Sequence, residues 1–431
     1  MIRPSRSPGL SVPFRYLLAG LLAWILLGAG IPLLALHLTA GYDDPQVFAL
    51  THLAVLGWVT MTIMGATYQL FPVALQARLA YPALARLNFF IYAGALAGFV
   101  PSFYFSWTPG VATFGTLAVV GVTVYVVNLG MSFPSIAAWH PMASYVLSGL
   151  GWLLVTLGFG LAWALDWQTH WFAITPNMLA AHVHAGLVGW LGTTFIGVSY
   201  KLMELFALAH RRSWRLAHLN LALWNLGLAG LVLSLLLIPG TWVVTGFASW
   251  LGLSVALFCL DLTRMWRGRR RRTISLEQGY LALSLASMVV AAALGILITR
   301  PAGVGPNVAV AYGYCAVVGC FGSAIIGKYF KIIPFLTWLD RYGRHPSAGP
   351  APLLRDLVDE RRGWAALFLI ALGLAGVVSG LLAAVPWVVV AAGLVYLLGA
   401  LVDAGTLARV LIPGRRVVRS TATAGAGADR N

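Results

Sequence analysis

The stretch AHVHAGLVGWLGTTFIGVSYKLMELF, Ala181 to Phe206, decides how the rest of the chain is read. It is apolar over a length that crosses a bilayer. Two histidines, His182 and His184, lie near its start. Ionisable side chains inside a membrane span are costly and mark function by default. Residues two apart on a helix point about 200° apart. His182 and His184 therefore do not easily share one metal ion, but they suit two ligands on opposite sides of one helix.

The stretch recurs twice. His52 to Leu75 reads HLAVLGWVTMTIMGATYQLFPVAL, and Tyr314 to Leu336 reads YCAVVGCFGSAIIGKYFKIIPFL. Take His52, His184 and Tyr314 as position zero. Glycine follows at +5 (Gly57, Gly189, Gly319) and again at +13 (Gly65, Gly197, Gly327). An aromatic stands at +16 (Tyr68, Tyr200, Phe330), and +20 is Pro72, Glu204 and Pro334. The starts lie 132 and 130 residues apart. This spacing predicts three repeated units, about 14–132, 141–263 and 278–409, within one membrane domain 1–412.

Of the 431 residues 60% are hydrophobic and only 9% charged, which predicts an all-α polytopic membrane protein. The net charge of +16 does not point to nucleic acid, because the basic residues gather in particular inter-helix loops. Cys259, Cys315 and Cys320 all fall in apolar spans, so neither a disulfide framework nor a zinc cluster is indicated. The arginines before the first apolar run precede a span rather than a signal peptide.

Taken in order, the chain predicts twelve transmembrane helices. The expected spans include helix 1 at Phe14–Leu38, helix 2 at Val47–Leu75, helix 6 at Pro176–Leu208 and helix 10 at Asn307–Leu336. Helices 11 and 12 divide near Pro386, and residues 413–431 are expected to form a disordered cytoplasmic tail. Basic clusters follow helices 2, 6, 8 and 10 and flank both ends, all on one side by alternation. That places both termini in the cytoplasm. The run RMWRGRRRRT is read as topogenic and lipid-contacting.

The repeat helices are spans 2, 6 and 10, and their shared glycine register predicts that they lie innermost. His52 and His184 sit roughly 9 and 12 Å below the outer end of their helices. His37 and His170 belong to the same outer half, whereas His140, His210, His218 and His345 are cytoplasmic. Two histidine-bearing helices at similar depth suit the sandwiching of a flat macrocycle, since imidazole is a common axial ligand of heme iron. Lys201 and Glu204, three apart, are read as an interfacial pair, and Asp403 as interfacial.

AHVHAGLVGWLG, with the glycine and tyrosine that follow it, resembles the tenth helix of subunit I of the heme-copper oxidases. The likeness is to the cbb-type branch and the nitric oxide reductase large subunit. The resemblance implies twelve spans in three arcs with cytoplasmic termini in a prokaryotic inner membrane. It also implies an H-x-H serving two hemes, and a helix-2 histidine, matched by His52, that completes the low-spin site. Two departures stand out. The H-x-H lies on helix 6, and helix 10 carries Tyr314 instead of histidine. Helix 7 has only His218, at the cytoplasmic end, so the copper-site histidines are missing and oxygen reduction by this chain alone is not expected.

The reading is then of a b-type heme protein that transfers electrons or binds a diatomic gas such as NO or O2. If it is an enzyme, it is an oxidoreductase of that superfamily. His52 and His184 are the first axial candidates, with His182 serving a second ligand. A cytochrome c or other electron-carrier subunit is the expected partner, and no CxxCH motif occurs for a c-type heme. Two alternatives stay open. Met178 and His182, four apart, share a helix face and with His37 or His170 suit copper. The third reading is a cofactor-free structural or assembly relative.

Overall fold

Each of the three repeat helices changes its winding directly after position zero. Residues Leu53–Thr60, Ala185–Gly192 and Cys315–Gly322 are π-helical, eight residues in every case, with α-helix on both sides. A computed structural model of the protein describes residues 11–209, 213–238, 240–270, 273–300, 304–343 and 352–412. The expected tail at 413–431, the N-terminal arginines Arg3 and Arg6, and His210 and His345 lie outside the described residues.

The described residues form twelve helices long and apolar enough to cross a membrane. They are α1 (Ser11–Leu33), α2 (Pro45–Ala74), α3 (Pro82–Tyr104), α4 (Thr108–Ser135), α5 (Pro141–Thr169) and α6 (Pro176–Ala207). The second half comprises α7 (Arg215–Leu237), α8 (Thr241–Arg267), α9 (Leu276–Ile298), α10 (Pro306–Arg341), α11 (Glu360–Leu382) and α12 (Pro386–Leu411). The protein is an all-α, multi-pass membrane protein. Many of the helices start on proline, whose missing N–H would have no intrahelical partner there anyway. Asp44, His140 and Thr175 cap α2, α5 and α6 through side-chain acceptors.

Two boundaries differ from the sequence expectation. The first helix stops at Leu33, just after Pro32, and His37 rides on a separate short helix, Ala35–Ala40. Proline interrupts the backbone ladder there. In contrast, α10 runs through Pro334 to Arg341, since neighbouring helices support a proline kink in a membrane bundle.

The helices α2, α6 and α10 are the innermost: 61, 56 and 78% of their central windows are buried, against at most 44% for any other span. Their +13 glycines explain why they pack alike. A Cβ on Gly65, Gly197 or Gly327 would stand 2.5, 2.3 or 2.8 Å from the Cβ of Tyr16, Tyr145 or Tyr280. These tyrosines come from the preceding helices α1, α5 and α9. Each ring then meets the +16 aromatic: Tyr16 with Tyr68 at 5.7 Å, Tyr145 with Tyr200 at 6.0 Å and Tyr280 with Phe330 at 6.2 Å. The +5 glycines Gly189 and Gly319 lie as tightly against Trp152 and Ser287. Small residues let membrane helices approach until van der Waals packing holds them.

The π segments meet at the centre in cyclic order. Trp190, at +6 of the second repeat, donates to Thr60 at +8 of the first (3.1 Å). Trp58, at +6 of the first, covers Gly322 at +8 of the third, where a Cβ would lie 2.4 Å from its ring. The third repeat has Cys320 at +6, and Trp224 of α7 fills the space over Gly192 instead. Thr62 and Tyr329 share a 2.5 Å hydrogen bond that ties α2 to α10.

At the face that carries both ends of the described chain, Lys201 and Glu204 pair at 2.8 Å, and His140 Nε2 stands 3.5 Å from the same carboxylate. Asp403, expected at the interface, is instead fully buried and accepts from the Tyr280 hydroxyl. A hydrophobicity pattern places an isolated acid at the rim; here a tyrosine on α9 supplies the partner that allows burial.

Two outcomes test this packing. Gly197→Ala should lower stability by about 1–3 kcal/mol through overpacking on Tyr145. Gly94→Ala, with open space around its Cβ, should not lower it. Thermal melting in detergent distinguishes them. The second test concerns His140, whose Nδ1 accepts from the Met142 amide at 3.0 Å. Burial, and then the Lys201 ammonium, pushes His140 down from 6.5 to about 4. Below pH 6.5 the unfolded chain therefore binds a proton that the folded chain refuses, so stability should fall as pH drops from 6.5 toward 4. His140→Asn, which keeps a capping acceptor, should show a flatter melting profile over that range.

Candidate functional site

Position zero carries the same local device in the first two repeats. The Nδ1–H of His52 donates to the Phe48 carbonyl at 2.8 Å, and that of His184 donates to the Ala180 carbonyl at 2.7 Å. A carbonyl only accepts, so Nδ1 holds the proton and Nε2 presents its lone pair. Both acceptors lie four residues earlier on the same helix, directly before the π segment begins. The device orients each ring and makes Nε2 a better ligand.

His182 is held differently. Its ring lies 4.9 Å from Trp163 and 6.3 Å from Phe159, both on α5. Gly160 leaves room for it, with the His182 ring 3.5 Å from the nearest Cβ position. Its Nδ1 is buried without a hydrogen-bond partner. His182 also lies within electrostatic reach of His52.

These contacts group the candidates differently from the sequence expectation. Alignment pairs His52 with His184; the structure stacks His184 on Tyr312, with ring centres 5.8 Å apart and planes 22° apart, and places His182 within electrostatic reach of His52. The reason is rotational. Equivalent positions around a cyclic arrangement are related to one another but do not face one another. Position zero of the second repeat faces position −2 of the third: His184 meets Tyr312. Tyr314, at position zero of the third repeat, is buried with its hydroxyl unpartnered.

Aromatics surround His52. Phe103 stacks on it at 4.7 Å and 12°, and Phe99 meets it edge-on at 5.3 Å. Trp167 extends the wall from α5, 5.4 Å from Phe103. These residues belong to or pack on a small apolar cluster, separate from the main core, that contains Ala49, Val111 and Ala164. Sequence reading missed Tyr312 and the α3 and α5 aromatics. The −2 register would have found Tyr312, since His182 occupies the same place in the second repeat.

The copper alternative gains no support from the geometry. His37 Nδ1 bonds Asp44 at 2.8 Å, and Asp44 caps α2 by accepting from the Gln46 and Val47 amides. Burial opposes ionisation of Asp44, but the His37 bond and these amides outweigh it and hold the carboxyl below its ordinary range. Met178 is half-buried at the start of α6, and His170 closes α5 in a left-handed conformation at φ 49°. Among the described residues, no three His, Cys, Asp or Glu side chains come together as a metal cage.

No protein family and no curated protein matches this sequence. Among solved structures, the chain is similar to a heme-copper terminal oxidase determined as a dimer by cryo-electron microscopy. The TM-score is 0.69, over 94% of this chain and 85% of the oxidase chain, at 11% identity. This chain has the heme-copper oxidase subunit I-like fold. At that identity the likeness concerns architecture, and the residues of the site carry any further argument.

Proposed function

We propose that the protein is a heme-binding integral membrane protein that transfers electrons through a b-type heme held by His52 and His182. The observation that carries this reading is a buried, unpartnered imidazole nitrogen on His182 within electrostatic reach of the pinned imidazole of His52. His52 presents a pinned imidazole with a bare Nε2, and His182, from the adjacent repeat, presents an orphaned buried nitrogen. An unpartnered imidazole nitrogen at membrane depth is costly, and an iron ligand would satisfy it. Heme bound there would be held by His52 and His182 and would supply one-electron chemistry. The Phe48 carbonyl fixes the ring angle of His52. Phe99, Phe103, Trp163 and Trp167 exclude water and keep the surroundings apolar.

His184 is the candidate ligand of a second heme on the opposite face of α6. Tyr312, stacked beside it, would offer a hydroxyl to a diatomic ligand such as NO or O2. The copper-site histidines of the oxidases have no counterpart in the outer half, so a complete heme–copper centre is not part of the proposal. The three units of about 130 residues are proposed as repeats of one ancestral four-helix plan. An electron-carrier subunit, such as a cytochrome c, is the proposed donor, and the bilayer is the surrounding partner. The basic residues Arg78 and Arg86 follow α2, Arg215 follows α6, Arg264 and Arg267 lie in the last turn of α8, and Arg341 closes α10. Their common side supports cytoplasmic termini in a prokaryotic inner membrane.

Purified protein should show a Soret band with low-spin character. His52→Ala and His182→Ala should each abolish that component, whereas His184→Ala should remove the carbon monoxide-sensitive component. Unchanged spectra in both the His52 and His182 variants would reject the assignment. Oxygen uptake with an artificial donor should be absent and copper substoichiometric; cyanide-sensitive turnover with one copper per chain would show a reduction centre after all.

A further inference from the structure

The third repeat lacks the histidines and carries buried acid and tyrosine side chains toward the terminus-bearing face. Asp403 of α12 is 0% exposed, and its only bonded oxygen, Oδ2, accepts from the Tyr280 hydroxyl of α9. Its Oδ1 is buried with no partner. One turn before Tyr280 on the same face, Glu277 is 5% exposed and ion-paired with Lys328 of α10. Gly327 lets the two pairs sit side by side, since its Cβ position lies 2.8 Å from Tyr280 and 3.2 Å from the Glu277 carbonyl. Glu277 and Lys328 also line a crevice of about 10 Å³ with Ser199, Gln278 and Phe206, at the limit of room for one water molecule. Beyond Asp403, Tyr396 accepts from Trp24 at 2.8 Å.

A carboxylate with one bare oxygen in hydrocarbon is strongly disfavoured, whereas a neutral carboxylic acid needs far less solvation. The titratable groups that interact with Asp403 are Tyr280 of α9 and Tyr396 of α12, and neither is a cation. The cation nearest to Tyr280 along this face, Lys328, is paired with Glu277.

We propose that Asp403 and Tyr280 form a proton-binding site, occupied as a neutral carboxylic acid and loaded from the terminus-bearing face past the Glu277–Lys328 pair. Asp403 lies about 12 Å from that end of α12 and Tyr280 about 6 Å into α9, so the path is short. A proton delivered to the Tyr280 oxygen passes the hydroxyl's own proton to Oδ2. The carboxylate gains one proton, the tyrosine is regenerated, and nothing is oxidised or reduced. The site is separate from the histidines and stands or falls independently of heme.

Infrared spectroscopy of the full-length protein in liposomes at neutral pH tests this. The wild type should show a carboxylic acid C=O band that shifts in D2O. Asp403→Asn should remove the band. Tyr280→Phe should shift it by loss of the hydrogen bond. The double variant Glu277→Gln/Lys328→Met, which leaves no unpaired charge, should slow its H/D exchange several-fold. A band that survives Asp403→Asn, or an exchange rate unchanged in the double variant, overturns the proposal. If Asp403→Asn does not yield monodisperse protein, an unshifted band in Tyr280→Phe overturns it equally.

Discussion

A tyrosine ring laid over a glycine, once in each repeat, sets the spacing on which the bundle depends. Tyr16, Tyr145 and Tyr280 approach Gly65, Gly197 and Gly327 to distances that no other residue allows. Lipid tails are as apolar as the side chains they surround, so burial of apolar surface does little to join membrane helices. Close packing and hydrogen bonds must hold them. The tyrosines contribute both: Tyr16 and Tyr145 also donate to the Ala85 and Ala217 carbonyls of α3 and α7, at 3.1 and 2.8 Å. Each clamp therefore ties three helices. The third differs, because Tyr280 turns to Asp403 of α12.

With the lower halves of α2, α6 and α10 fixed in this way, the π segments above them adjust the upper halves. A π turn carries an i→i+5 pattern, and such turns occur often at functional sites. In this chain they lie between the clamps and position zero. They bring Trp58 over Gly322 and Trp190 onto Thr60, so the central helices touch through their widened turns. The histidines sit on ordinary α-helix immediately before the change in winding, where the carbonyl four residues back is available to pin the ring.

The three units differ in chemistry while sharing their packing. The first two carry imidazole at position zero, in the half away from the ends of the described chain. The third has Tyr314 there, and its ionisable groups Glu277, Lys328 and Asp403 lie toward the terminus-bearing face, as Lys201, Glu204 and Asp261 do in the second. One architecture thus separates two kinds of buried polar group by membrane depth. The likeness to an oxidase at 11% identity is consistent with this: packing geometry persists while the residues that fill it change.

The sequence by itself determined the membrane class, the twelve helices and the identity of the three central ones. Hydropathy depends on local composition, and the glycines at +5 and +13 record helix contacts directly in the chain. Sequence also singled out His52, His182 and His184, because an imidazole in a span stands out against apolar neighbours. What it did not determine was which histidine faces which. Register alignment equated His52 with His184, but where the second and third repeats meet, position zero lies against position −2, as His184 stacks on Tyr312. Nor did it mark Leu53–Thr60 or its two counterparts as π-helical, or bury Asp403. Those features depend on a Trp from one repeat, a Gly from another and a Tyr hydroxyl from a helix 123 residues away. Only the assembled bundle brings such groups into contact, because their interactions act across helix interfaces rather than along the chain.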